Sequence, residues 1–315
     1  MIVLPSLRDM ALFIAAYEER SFTAAAQREH ATQSGVSQHV KKLEESLGAK
    51  LFERGPTQVS PTPAGDVYYR HCIELLRRNA AATQAVRALA PGLDGEINVG
   101  LMPTVTRCVL APALERFVDR HPNVVVRIEE AYSGVLTQKT QAGMLDFSVV
   151  PAFNGPVGLS SRFLLTTREV LVSGSGRNLG HLTPVRLREL GPLKIVVPGP
   201  GNTRRRSLET YFASNGIAVE RLLELDAMMG TLDFVAKGGW VTVLPGIMMA
   251  NDVVRDRFAI NPLADPPLSL DLAVIEPARK ALSPAASAFL DVLGEEAQRL
   301  NAAFSGPQPG SKPGS

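Results

Sequence analysis

The sequence predicts an α/β protein in two parts: a helical segment up to about Ala90, then a larger region where strands and helices alternate in two lobes. Three observations predict it. The 315 residues exceed the ~100–150 usual for one domain. Composition changes near residue 92: the chain before it is dense in Ala, Glu, Gln and Arg, which lose little rotamer freedom in a helix, and Pro91, Gly92, Asp94 and Gly95 then interrupt it. Beyond that break, short apolar runs alternate with segments whose apolar residues recur at three and four, the pattern of a parallel or mixed sheet covered by helices.

Leu4, Leu7, Met10 or Ala11, Phe13 or Ile14, and Tyr17 form one apolar stripe, so residues 6–19 are expected as an amphipathic helix. Ser21 is placed to cap a second helix ending near Arg28. Ser34 is expected to cap a third, with Val36, Val40, Leu43 and Leu47 inward and Gly48 ending it. Ser37, Gln38, Lys41 and Lys42 then face outward. Two short helices in tight succession, the second showing hydrogen-bonding and basic side chains, are what a helix-turn-helix needs to enter a major groove.

Thr62 followed by Pro63 is a strong helix start, with no breaker until Pro91. Tyr68, Cys72, Leu75, Asn79, Ala82, Val86 and Leu89 recur there at alternating intervals of four and three, the spacing of a two-helix seam, and predict a dimer. Asn79, near the middle, can set register or simply be tolerated.

Strands are expected over 96–102, 124–128, 145–150, 169–173, 194–197, 240–244 and 270–275, and helices over 109–120, 203–215, 228–237 and 284–300. Residues 305–315 are rich in Pro, Gly and Ser and are expected as a disordered tail.

Ser21-Phe22-Thr23-Ala24-Ala25-Ala26, Thr32-Gln33-Ser34-Gly35-Val36-Ser37-Gln38, Leu43-Glu44, Leu47-Gly48, Leu51-Phe52-Glu53-Arg54 and Thr62-Pro63-Ala64-Gly65 together resemble the winged helix-turn-helix of LysR-type transcriptional regulators. The order and spacings match over about sixty-five residues. The chain departs from the family pattern at Glu29 and His30, where leucine is usual, at Thr57 and Gln58 in the wing, where a basic residue is common, and at Pro61, in place of leucine. The resemblance implies a winged helix-turn-helix over 1–62, a dimerising linker helix over 63–90, and an effector-binding region over 94–304 like periplasmic solute-binding proteins. Its lobe I would take about 94–166 and 269–303, and lobe II about 167–268. It also implies that Gln33, Ser37 and Gln38 approach base edges, that Thr32, Ser34, Lys41 and Arg54 hold phosphates, and that Thr23 and Lys42 complete the DNA-facing set. The chemistry agrees: glutamine reads adenine with two hydrogen bonds, whereas lysine and hydroxyl contacts to phosphate set position.

Ligands of open α/β sheets settle at strand carboxyl ends, beside helix N-termini. Three junctions qualify: one carrying Pro103, Thr104 and Thr106, one carrying Asn202, Thr203 and Arg204, and one carrying Met228 and Met229. By family analogy they line the cleft between the lobes. Their hydroxyls, helix N-termini and Arg204 favour a small organic acid, a carboxylate. Double-stranded DNA bearing an imperfect palindrome, this effector, a second copy or three further copies of the chain, and RNA polymerase are the expected partners.

Other functions fit less well. No Gly-x-Ser-x-Gly, Walker-type Gly-Lys-Ser/Thr or His-Glu-x-x-His motif occurs, and the five histidines lack metal-ligand spacing, so neither an enzyme nor a cofactor is expected. A redox sensor would use Cys72 and Cys108, which read as small core residues in different domains. A transport-type binding protein would leave the first ninety residues unexplained and lacks an export signal, and no run approaches the ~18 apolar residues of a membrane span, so the chain is expected in the cytoplasm. The charges, 33 Lys plus Arg against 31 Asp plus Glu, exclude a polybasic coat or an acidic disordered chain but not DNA binding. Residues 1–92 hold 11 basic and 9 acidic side chains, so the placement of charge matters more than its sum.

Overall fold

The computed structural model describes residues 5–54, 59–87, 92–153, 157–177, 179–254 and 256–304. The chain divides into two compact units, one formed mainly by the residues up to Pro91 and the other mainly by those from Gly92 on.

The first unit packs α1 (Leu7–Glu19), α2 (Phe22–Arg28) and α3 (Gln33–Leu47) with a wing of β1 (Phe52–Arg54) and β2 (Val59–Pro61), followed by α4 (Pro63–Arg87). Ser6 and Asp9 close a reciprocal capping box on α1. The Ser21 hydroxyl accepts the Ala24 N–H to start α2. Thr32, rather than Ser34, caps α3: its hydroxyl accepts the Gly35 N–H at 3.1 Å. Gln33 is therefore the first residue of the helix. Gly48, with φ +66°, ends it in the left-handed region that glycine adopts without strain.

The core of this unit joins Phe13, Phe22, Val36, Val40, Leu43, Leu51, Phe52 and Cys72. Phe13 is its hub, with ring centroids 5.4 Å from Phe52 and 5.0 Å from Tyr68, and burying such a ring contributes about 1.5–3 kcal/mol. Tyr68 and Cys72, expected on a dimer seam, instead pack into this core. Of the seam residues, Leu75, Asn79, Ala82 and Val86 are exposed, and Leu89 lies outside the described residues.

The second unit is built on a mixed sheet of nine strands among the described residues, β3 (Gly95–Leu101), β4 (Val124–Glu130), β5 (Phe147–Pro151), β6 (Leu159–Gly174), β7 (Leu193–Val197), β8 (Val219–Glu224), β9 (Val241–Pro245), β10 (Phe258–Pro262) and β11 (Ser269–Pro277), in the order β4-β3-β5-β11-β6-β9-β7-β8 with β10 on β6. In lobe I, β3 runs parallel to β4 and β5, and β11 antiparallel to β5. In lobe II, β7 runs parallel to β8 and β9, and β6 antiparallel to β9 and β10. The 16 residues of β6 run through both halves of the sheet.

Short α5 (Pro103–Val105) runs through a π-helical turn, Thr106–Leu110, into α6 (Ala111–Arg120). Together with α7 (Ser133–Gln141) and α10 (Pro284–Asn301) it covers lobe I, where the Phe117 and Phe289 rings meet at 5.1 Å. α8 (Thr203–Ser214) and α9 (Met228–Ala236) belong to lobe II, α8 packing Leu208, Tyr211 and Phe212 and α9 packing Leu232 and Val235 into separate cores. The tail expected over 305–315 lies outside the described residues. Among those that are described, no helix is long and apolar enough to cross a membrane.

Candidate nucleic-acid interface and ligand cleft

α3 sets its apolar residues against the core and leaves two adjacent stripes outward: Gln33, Ser37 and Lys41, then Ser34, Gln38 and Lys42, each at intervals of four. All are exposed except the half-buried Ser37. Thr32 and Thr23, at the N-terminal ends of α3 and α2, are exposed as well. The face therefore offers amide and hydroxyl groups for base edges and phosphates, flanked by ammonium groups.

Ion pairing decides which cations of this unit are left without a strong internal partner. Arg28 is held by Glu18 and, at 2.9 Å, by Glu19, and Arg8 by Glu29 at 3.3 Å. Lys50 pairs at 2.8 Å with Glu44, whose carboxylate also accepts the backbone N–H groups of Leu51 and Phe52 at 2.9 and 3.3 Å. Glu44 thus ties the start of the wing to α3, and Lys50 is committed to it. Burial pushes the Glu44 carboxyl up, but these three donors outweigh it and leave it below the ordinary range. Lys41 has only a loose 3.7 Å contact with Glu45, both about two-thirds exposed, and Lys42 has no ion pair among the described residues. Positive charge is left where α3 faces outward. The side chain of Arg54 and the wing residues Thr57 and Gln58 lie outside the described residues.

In the second unit, a cleft of about 380 Å³ opens between the lobes. Pro103, Thr106, Arg107 and Glu130 line it from lobe I, and Met228, Met229, Asn251 and Asp252 from the other side. Hollows of about 400 and 420 Å³ elsewhere lie within lobe I, along α10, and within lobe II, beside His181. Of the residues expected from sequence, the cleft brings together Pro103, Thr106, Met228 and Met229. It does not include Thr104, Asn202, Thr203 or Arg204. Thr104 is buried. The Asn202 side chain caps α8, accepting the Arg204 N–H at 3.0 Å. The Thr203 hydroxyl meets that of Ser133 at 3.3 Å.

Arg204, expected to hold a carboxylate ligand, is instead buried and clamped to Glu169 by two hydrogen bonds of 3.0 and 2.7 Å, with a third to the Val243 carbonyl. Full burial pushes the Glu169 carboxyl up, against the pull of Arg204. A buried guanidinium needs such a partner, and this one is internal.

Arg107, Glu130, Asn251 and Asp252 were not expected. Arg107 pairs with Asp252 at 2.6 Å and donates to the Met248 carbonyl, which Cys108 Sγ also meets at 3.1 Å. Arg107 lies on the π-helical turn, a feature that recurs at functional sites. Glu130 closes β4 at its carboxyl end, the position where ligands of parallel sheets settle, so that signal was present in the sequence. Asn251 and Asp252 follow β9 in a 3₁₀ segment with no motif to mark them.

Both cysteines are free and buried. Burial pushes the Cys72 thiol up to about 11 and raises that of Cys108. Thiols so placed hold little reactive thiolate near neutral pH.

Comparison with known proteins agrees with both halves. A family model described as LysR substrate binding domain matches residues 90–298, and one described as bacterial regulatory helix-turn-helix protein, lysR family, matches residues 7–66. The chain is 26% identical over 289 residues to the nitrogen assimilation regulatory protein nac of Escherichia coli (strain K12), covering 91% of this chain and 94% of that protein. It is 24% identical over 292 residues to the HTH-type transcriptional regulator IlvY of the same organism, covering 91% and 98%. Among solved structures, a full-length OxyR variant from Pseudomonas aeruginosa superposes with TM-score 0.59 at 20% identity, over 98% of this chain and all of that one. Full-length BenM gives 0.55 at 22% identity, over 96% and 100%. At such identities the structures show a shared fold. The family models span both units, and the chain belongs to the LysR family of transcriptional regulators, DNA-binding proteins with an effector-binding domain and not enzymes.

Proposed function

We propose that the chain acts as a dimer or tetramer, that its α3 helices read the two halves of an imperfect palindrome in major grooves, and that a small organic molecule in the inter-lobe cleft controls it. The observation that carries this reading is the outward face of α3, where Gln33, Gln38, Lys41 and Lys42 stand exposed while Val36, Val40 and Leu43 fix the helix from behind. Dimerisation is supported by the exposed Leu75 and Val86 on α4. RNA polymerase is the further partner of a regulator so bound. A carboxylate effector, the class expected from Arg204, rests on helix N-termini alone once Arg204 is committed to Glu169. Ligand control requires different ligand affinities in the two states of the regulator.

Selection of bound duplexes from a random library tests the DNA reading. The expected product is a two-fold symmetric pair of half-sites with centres about one helical turn, ~10 bp, or a multiple apart. Recovery of sequences with no shared half-site would contradict it.

A further inference from the structure

We infer, building on the cleft reading above, that the ligand of the inter-lobe cleft carries a protonated amine and that Glu130 receives it. The two arginines nearest this function are spent internally. Arg107 pairs with Asp252 and donates to the Met248 carbonyl, and Arg204 is bound by both oxygens of Glu169. Glu130 is exposed at the cleft wall, and among the described residues its only hydrogen-bond donor is the Thr106 hydroxyl, with no cation in ion-pair range. Asp252 also borders the cleft, but it is 3% exposed and its Oδ2 lies 2.6 Å from Arg107, so these two charges offset each other and Glu130 is left without a cation. The lining thus sums to one positive and two negative groups.

Tyr132 lies near the same carboxylate. Burial first, then the charges of Asp226 and Glu130, push its hydroxyl up, against a smaller opposing effect of Arg204. The N-terminus of α9 carries a partial positive charge of about half a unit, which favours an anion less than a side-chain cation would, and the Asp226 carboxylate just ahead of it accepts the Gly199 N–H at 2.9 Å. A carboxylate entering the cleft would meet Glu130 without a free cation to offset it. An ammonium gains that carboxylate, and its apolar part can lie on Met228, Met229 and Pro103. The volume suits a small molecule, within the roughly 300–1,000 Å³ of such sites.

Three probes of matched size, benzylammonium, benzyl alcohol and benzoate, test this by calorimetric titration of the full chain. The expected order has benzylammonium tightest. Glu130→Gln keeps the shape and the Thr106 contact, and should weaken benzylammonium by about tenfold while leaving benzyl alcohol unchanged. Met229→Trp, at a residue 63% exposed, fills the cleft and should abolish binding of every probe. Benzoate binding as tightly as benzylammonium, or an ammonium preference that survives Glu130→Gln, overturns the inference, as does absence of binding by all three. Binding that survives Met229→Trp overturns the cleft itself, which separates the two failures.

Discussion

Gly65 shows how one side chain fewer holds the first unit together. A Cβ there would lie 2.3 Å from the Leu51 carbonyl oxygen, a backbone atom fixed by its own hydrogen bond from the Thr62 N–H at 3.0 Å. Neither partner can retreat without moving the wing. Gly65→Ala should therefore destabilise the fold by about 1–3 kcal/mol, read as a lower urea midpoint. Glu169 and Arg204 make the opposite case, a buried pair in which each charge exists for the other. Glu169→Leu leaves a buried guanidinium uncompensated and should cost about 3–5 kcal/mol, whereas Glu169→Leu together with Arg204→Met should cost markedly less than either single change. Denaturation of the four forms of this cycle checks it, and additive losses would show that the pair does not act as a unit. The same pair explains one misplaced expectation. Arg204 was legible as a cation at a helix start, but its Glu169 partner, 35 residues away, is visible only in the fold.

Among the elements, α3 and the wing behave as one piece because Glu44 bonds to Lys50, Leu51 and Phe52. Since the folded carboxyl lies below its ordinary value, this stabilisation is complete above the unfolded pKa of about 4.3 and is lost as pH falls through the lower folded value. The variant Glu44→Gln should be less stable than the parent at pH 7 and should lose less stability on acidification, measured by chemical denaturation from pH 7 to pH 3. An unchanged acid slope would remove Glu44 as its cause. Elements with strong local signals were legible. α1, α2 and α4 start at the hydroxyls of Ser6, Ser21 and Thr62, and α3 ends at Gly48. Its start was displaced by two residues because Thr32 and Ser34 are both competent caps, and only backbone geometry chooses between them. Three segments had no such signal: β8, largely exposed with charged residues among its apolar ones; β10, a short apolar run ending at Pro262; and the first half of β6, where Arg162 and Thr166 interrupt the pattern. α7, with Thr, Gln and Lys through its length, was equally faint. The seam on α4 was misread at its first two positions because a three-four spacing fits a core inside one chain as well as a contact between two.

For the whole molecule, the near-cancelling charge total becomes informative once pairing is known. Arg8, Arg28 and Lys50 are neutralised by acids within the first unit, while Lys41 and Lys42 are left to the outward face of α3. Two lysines without a strong internal partner on this face, among the described residues, imply modest non-specific affinity, so the proposed reading has two subunits and direct base contacts together supply the preference for a site. The most direct measurement is a binding titration of the parent, Gln33→Ala and Lys41→Ala on a selected site and on its scrambled sequence, over a series of salt concentrations. Gln33→Ala should lose about 1–3 kcal/mol of discrimination between the two sequences with its salt slope unchanged. Lys41→Ala should weaken both equally and flatten the slope by about one unit per subunit. Discrimination left intact by Gln33→Ala would contradict the claim that this face of α3 reads DNA.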